Sequence, residues 1–360
     1  MRILVAPDKF AGTLTAVQAA EAVATGWRRQ APDDELDLAP MSDGGPGFVD
    51  VLHAALGGEL LAVTVRGPHA DPVPATVLRV GDTAYVESAQ ACGIHLTDDA
   101  WESASTLGVG DLIAAALDSG ARQIVVGLGG SGTTDGGAGL LHALGASADA
   151  DLDRGPAGLA GITRADLSAA VARLDGIELV AASDVDNPLT GLFGAAKIFG
   201  PQKGVPEDRL VGVDAWLEGF AEATDRRLSL AKGAGAAGGL GFALMLLGGT
   251  REPGLALVSE AVGLPARARA ADLVITGEGA FDVSSRAGKV PYGVGEIAAE
   301  ALRPCVVVAG KVQVGAREMR ALGVESAYAL VDLVGEQRAM AEPVAALQQL
   351  AARVARTWSR

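Results

Sequence analysis

The chain has 360 residues, 49% of them hydrophobic but only 4% aromatic, and a formal net charge of −15. That length suggests about two domains with cores of Ala, Val and Leu. The acidity argues against a nucleic-acid or anionic-membrane surface, which needs a basic patch. Two cysteines, Cys92 and Cys305, form no C-x-x-C pair and read as small buried hydrophobes in a reducing cytosol.

In chain order, "RILVA" (2–6) reads as a buried strand and "PDKFAGTL" as the loop after it. A helix follows from about Thr15, where Thr15 and Gln18 have capping-box spacing and Val17, Ala20, Val23 and Trp27 form an apolar stripe. "ELDLAP" (35–40) alternates like a strand, and "MSDGGPG" leads into a helix near Phe48. "LLAVTV" (60–65), "PATVLRV" (74–80) and "TAYVES" (83–88) are further strands, the last two joined as a hairpin at Gly81-Asp82. "QIVVGL" (123–128), "ELVAAS" (178–183), "DLVIT" (272–276), "CVVVA" (305–309) and "ESAYAL" (325–330) continue the series, with Ala-rich helices between them. The Asp-, Gly- and Ala-rich segment 146–161 reads as an exposed loop.

Unalternated apolar strands alternating with helices predict an α/β fold with mostly parallel, helix-covered sheets. The hairpin breaks that rhythm and predicts an inserted domain: residues 1–60 plus 265–360 form a Rossmann-like α/β domain, and residues 61–264 an inserted α/β domain. The first apolar run is too short for a signal peptide, and the longest (236–249) is too short and glycine-rich to span a bilayer. A soluble cytoplasmic protein with no membrane partner is expected.

Four segments carry chemistry, each at a strand end. "GLGGSGTTDGGAG" (127–139) contains G-x-G-x-x-G at Gly127, Gly129 and Gly132, yet the spacing recurs at Gly233, Gly235 and Gly238, where no strand precedes it. A Rossmann helix should also start inside the motif, whereas "TTDGGAG" delays it. The loop therefore reads as an anion cradle, with Gly129, Gly130, Ser131, Asp135, Gly136 and Gly137 as binding candidates. The bland reading is a tight turn in which Asp135 only caps a helix. "SDGGPGF" (42–48) echoes "TDGGAGL" (134–140), which adds Asp43, Gly44 and Gly45. "SDVDNPLTGLFGAAKIFGPQKG" (183–204) sets Asp184, Asp186 and Asn187 near Lys197 and Lys203, the alternative being a surface acidic loop. "ITGEGAFDVSSRAGKVPYG" (275–293) offers Glu278 and Asp282, then Arg286 and Lys289 before a helix. That arrangement suits phosphate with Mg²⁺, or else is a solvated mixed-charge loop. It lacks the Walker A spacing, the histidines lack zinc spacing, and Ser131 fails G-x-S-x-G.

Taken in order with "APDKFAGTLTA" and "GAGAAGGLGFALMLLGG", these segments resemble the type I glycerate kinase family over nearly the whole chain. The cluster "DVDNPLTG…FGPQKG…GAGAAGGLG…ITGEG" is the most specific part. The resemblance implies ATP-dependent phosphorylation of D-glycerate, in much of the family to 2-phosphoglycerate. It also implies a Rossmann-like domain and a second α/β domain, with the active site in the cleft between them. Three positions depart from the family pattern. Asp8-Lys9-Phe10-Ala11-Gly12 stands where many relatives read D-S-F-K-G, Pro46 replaces an acidic residue, and Thr134 replaces an Asn.

Phosphoryl transfer needs positioning, cations on the migrating group and a base for the attacking hydroxyl. Asp184 and Asp282 are the expected base or Mg²⁺ ligands, with Lys9 and Lys289 as catalytic cations. Asp8, Asp43, Asn187, Lys203 and Glu278 join the glycine loops as substrate or nucleotide contacts. In an extended segment, residues two apart point the same way, so Lys9 is expected to replace the cation that relatives place at the Ala11 position. ATP and Mg²⁺ are the expected cofactors and D-glycerate the small-molecule partner, with no nucleic acid and with room for a homo-oligomer. Two other classes stay open. One is an NAD(P)-dependent dehydrogenase using the Gly127–Gly132 loop, with Asp149 or Asp151 at ribose distance; the other is a non-catalytic small-acid binding protein.

Overall fold

Ile3, Leu4 and Val5 are fully buried in the strand Arg2–Val5, as an apolar run without alternation requires of a strand covered on both faces. The computed structural model describes residues 1–359 except residues 11, 99 and 283–288. The chain divides into two compact units. The smaller comprises Met1–Asp43, Asp50–Leu56 and Leu255–Arg360, and the larger Gly44–Val49 and Gly57–Gly254.

In the smaller unit five strands form a wholly parallel sheet, in the spatial order Ser326–Ala329, Cys305–Val312, Leu273–Phe281, Arg2–Val5 and Glu35–Leu38. The helix Ala16–Gln30 makes the first crossover. Thr15 caps it: its hydroxyl accepts the Gln18 N–H, and the Gln18 side chain accepts the Thr15 N–H. The expected capping box is therefore present, worth about 0.5–2 kcal/mol. Of the predicted stripe, Ala20, Val23 and Trp27 are buried and Val17 is half-buried. The helix Pro343–Trp358 packs against this one. A Cβ at Gly26 would fall 2.1 Å from the Gln348 carbonyl oxygen, so the two helices meet backbone to backbone. Beneath them the Trp27 indole N–H donates to Asp34, whose other oxygen holds the Met1 ammonium at 2.6 Å.

The larger unit has a six-stranded mixed sheet. Glu59–Arg66, Pro72–Val80 and Thr83–Glu87 form an antiparallel meander, and Gln123–Gly127, Glu178–Ala182 and Thr250–Glu252 extend it in parallel. Its core gathers Val77, Val86, Ile124, Val126, Leu112, Leu140 and Leu217, with Phe220 and Phe242 edge to face at 5.9 Å.

Three expectations need correction, and one strand was not foreseen. The run 60–65 is antiparallel too, so the hairpin is part of a three-stranded meander. The strand begun at Leu273 runs on to Phe281, with Glu278 paired opposite Ala309, so "GEGAF" is strand and not loop. Gly277 allows this, since a Cβ there would lie 2.1 Å from the Val308 carbonyl oxygen. Segment 146–161 is only partly exposed: Ser147–Ala148 pairs with Ala165–Asp166, and Leu152, Pro156 and Leu159 are buried. The short polar strand Thr250–Glu252 carries no apolar pattern and gave no signal. No helix of the described residues is long and apolar enough to cross a membrane.

Candidate functional site

Past the end of Arg2–Val5 the backbone still follows its neighbour, with Asp8 N–H donating to the Gly277 carbonyl at 2.8 Å. This sets Asp8 beside the middle of the Leu273–Phe281 strand, almost buried. Its Oδ1 accepts the Lys9 backbone N–H at 2.7 Å and lies 3.6 Å from Lys9 Nζ, which is itself 3.8 Å from Asp43. Burial pushes the Asp8 carboxyl up to about 6; the Lys9 ammonium opposes that rise and the Asp43 carboxylate adds to it. Phe10 turns inward and is buried, as expected of the residue between Lys9 and Ala11, but Ala11 lies outside the described residues.

On the neighbouring strands Glu278 is buried, and Lys289 Nζ stands 3.9 Å from both Glu278 and Asp282. Lys289 is the N-cap residue of the helix Val290–Glu300. Arg286, expected with it, lies outside the described residues. Asp8, Lys9, Asp43, Glu278 and Lys289 line one cavity of about 490 Å³ in the smaller unit. Lys311 and Glu336 line it as well and form an ion pair with each other. Sequence reasoning missed Lys311 because the strand from Cys305 was ended at Ala309, whereas it runs to Val312.

In the larger unit the glycine loops meet each other. Gly129 N–H donates to the Gly44 carbonyl at 3.0 Å, and a Cβ at Gly129 would fall 2.4 Å from Gly45 Cα. Gly136 N–H donates to Gly238, and a Cβ at Gly137 would fall 2.3 Å from Ala243 Cβ. Much of the glycine density that suggested a ligand cradle is thus taken up by backbone packed on backbone. Asp135 is fully buried. Its carboxylate accepts from the Thr106 N–H and hydroxyl and from the N–H groups of Gly137 and Gly139, tying the start of Ala138–Ala143 to Leu107–Asp118. Burial raises this carboxyl as well. These four internal donors are the contacts that the helix-capping reading calls for. Asn187 is similarly engaged, its side-chain amide donating to the Phe193 carbonyl at 2.8 Å. Asp184 lies half-buried two residues past the Glu178–Ala182 strand, and Asp186 beside it pairs with Arg251 and Lys232. Glu87, which drew no attention in the sequence, ends the Thr83–Glu87 strand buried and accepts the N–H groups of Gly47 and Val49. An acid at a strand's carboxyl end was the signal available.

Gly129, Gly130, Ser131 and Lys203 share a second cavity, of about 290 Å³, within this unit. Lys203 Nζ donates to the Thr133 carbonyl at 2.6 Å and makes a long 3.5 Å contact with Ser131 Oγ. Burial lowers its ammonium to about 8, with Cys92 and Asp135 pulling the other way. Among the described residues no group of three or more His, Cys, Asp or Glu side chains is placed to hold a metal. Mg²⁺, however, usually takes one or two carboxylates along with phosphate oxygens and water. The carboxylate pairs beside Lys9 and Lys289 fit that donor set.

Lysines and carboxylates gathered at the carboxyl ends of parallel strands are the apparatus of an α/β phosphotransferase. Residues 3–359 match the glycerate kinase family, and the chain belongs to that family. The glycerate kinase of Bacillus subtilis (strain 168) is 38% identical over 92% of this chain and 90% of its own length. The glycerate 2-kinase of Escherichia coli (strain K12) is 37% identical over 93% and 92%. The crystal structure of a protein assigned as glycerate kinase 2 in Salmonella typhimurium LT2 is 34% identical. It superposes with a TM-score of 0.80, covering 99% of this chain and 98% of that one.

Proposed function

We propose that the protein transfers the γ-phosphoryl group of ATP to D-glycerate, with 2-phosphoglycerate as product in preference to 3-phosphoglycerate. The observation that carries this reading is the cavity of the smaller unit, where Asp8, Asp43 and Glu278 meet Lys9 and Lys289. The 2-kinase activity in the name of the Escherichia coli relative supports the choice of hydroxyl. Lys9 and Lys289 hold phosphate or carboxylate oxygens and offset the charge that moves during transfer. Asp184 and Asp282 serve as proton acceptor for the attacking hydroxyl or as carboxylates toward Mg²⁺. When bound, Mg²⁺ would neutralise phosphate oxygens and keep their geometry fixed.

The nicotinamide alternative loses support because the Gly127–Gly132 loop packs against Gly44-Gly45. In addition Asp149, spaced for a ribose, accepts the N–H groups of Thr163 and Arg164. A non-catalytic binding protein gives no reason for so many carboxylates beside lysines. The test is incubation with ATP, Mg²⁺ and D-glycerate, with the product identified by phosphorus and carbon NMR. Failure to consume ATP with either glycerate enantiomer would overturn the reading.

A further inference from the structure

Lys203 is the only lysine or arginine among the buried described residues, 5% exposed. Its surroundings do not answer its charge. An ammonium has three N–H donors, and the partners here are one carbonyl oxygen at 2.6 Å and one hydroxyl at 3.5 Å, both neutral. Among the described residues it forms no ion pair. Asp135 acts on it only through the field, with its oxygens committed to four other donors. The backbone closes tightly around the amine: a Cβ at Gly238 would stand 2.9 Å from Nζ and 1.9 Å from the Thr133 carbonyl oxygen. A buried ammonium that forms no ion pair is costly, and the cost is relieved when an anion arrives.

The cavity beside it has room for one. At about 290 Å³ it sits at the small end of the range for ligand pockets, about 300–1,000 Å³. Lys203 is the one ionisable group among its described lining residues, alongside the Ser131 hydroxyl, the Gln202 amide and apolar groups such as Leu128, Val185 and Phe199. The cavity of the smaller unit differs, for there Asp8, Asp43, Glu278 and Glu336 stand beside Lys9, Lys289 and Lys311, so its cations already have carboxylate neighbours.

We propose that the Lys203 cavity of the larger unit is the carboxylate subsite for the acceptor, a small hydroxy acid. Lys203 forms the charge-assisted contact and Gln202 offers its amide to the remaining oxygens, while Ser131, whose hydroxyl bonds to Ala237 and Thr133, and apolar side chains complete the wall. This rests on the glycerate kinase reading and assigns one end of its substrate. Because burial lowers the Lys203 ammonium to about 8, with Cys92 and Asp135 facing it, binding of an anion near pH 8 takes up protons.

The experiment pairs steady-state kinetics with calorimetry on the full chain. Lys203→Met is expected to raise the KM for D-glycerate by roughly 10–150-fold, the range for a desolvated charge-assisted contact. The KM for ATP should stay unchanged, and the ligand-free Tm should not fall, since an unpaired buried charge has been removed. An unchanged glycerate KM with a lower Tm would make Lys203 structural and overturn the proposal. A rise in the ATP KM alone would make the cavity a phosphate subsite and overturn it equally. Should the variant not fold, wild-type protein titrated with D-glycerate at pH 8, in two buffers of different ionisation enthalpy, decides the question. Proton uptake supports the subsite, and binding without uptake overturns it. That titration needs no turnover, so glycerate binding with proton uptake in a protein that consumes no ATP would defeat the kinase reading and leave the subsite standing.

Discussion

The two cavities solve opposite electrostatic problems. In the smaller unit lysines and carboxylates stand together near 4 Å, and each charge has a neighbour of opposite sign. In the larger unit a single ammonium is buried against neutral oxygens. A mixed cluster can receive a phosphate and a cation together without a large change in net charge. A buried cation that forms no ion pair is selective in another way, because an arriving anion relieves the cost of its burial. Charge count says little about a site until pairing is known.

The largest effects should test the carboxylates. Asp184→Asn and Asp282→Asn, in turn, are expected to keep the fold and lower kcat by about 10²–10⁴-fold, the usual cost of losing a general base. A near-normal kcat in either would return that residue to the surface acids. Lys9→Ala should lose roughly 10–150-fold in kcat/KM, the equivalent of a charge-assisted contact. The double change Lys9→Ser with Ala11→Lys should recover much of what Lys9→Ser alone loses; loss without rescue would show that the two positions do not share a face.

Next comes pH. Asp8's carboxyl is raised from its ordinary 3.8 to about 6. If the ionised form is the working one, kcat/KM falls as pH drops through 6, by about tenfold per pH unit. Asp8→Asn should abolish that limb. A limb that persists in the variant would belong to another group. The variant should be no less stable at pH 7, because a carboxylate whose ionisation the fold disfavours has been removed.

The smallest expected effect concerns stability in the other cavity. Lys203 titrates near 8 in the folded protein against 10.5 unfolded. Between those values the unfolded chain binds the extra proton, so the wild type gains stability as pH rises. The stability advantage of Lys203→Met at pH 7 should therefore shrink from pH 8 to 10.5. Thermal unfolding of both proteins across that range measures it, and a constant difference would mean that the amine is solvated.

The sequence was legible where one local pattern decides the structure. The Thr15–Gln18 capping box, the apolar strand at Arg2–Val5 and the turn at Gly81-Asp82 are such cases. Glycine defeated that reading, because composition cannot tell a glycine that admits a ligand from one that admits another backbone, as Gly129 admits Gly45. Lys203 was legible as a cation in "GPQKG", but its burial depends on Thr133, 70 residues earlier, and on Gly238. Glu278 was singled out as an acid just past a strand end but lies inside the strand, because Gly277 and Gly279 look like a terminator. In fact a glycine lets the Leu273–Phe281 strand pass close to its neighbour.

The backbone contact between Gly26 and Gln348 has a consequence for how the chain is made. Arg2–Val5 leaves the ribosome well before its partner Leu273–Phe281, which follows some 270 residues later, and the helix that covers Ala16–Gln30 comes later still. At about 5–20 residues per second the N-terminal strand waits many seconds for that pairing. Most of the larger unit, continuous from Gly57 to Gly254, emerges in the meantime and can fold during synthesis. The smaller unit closes only once Pro343–Trp358 has emerged, so a product lacking that helix would expose the apolar faces of Val23 and Trp27 and be open to the cell's proteases.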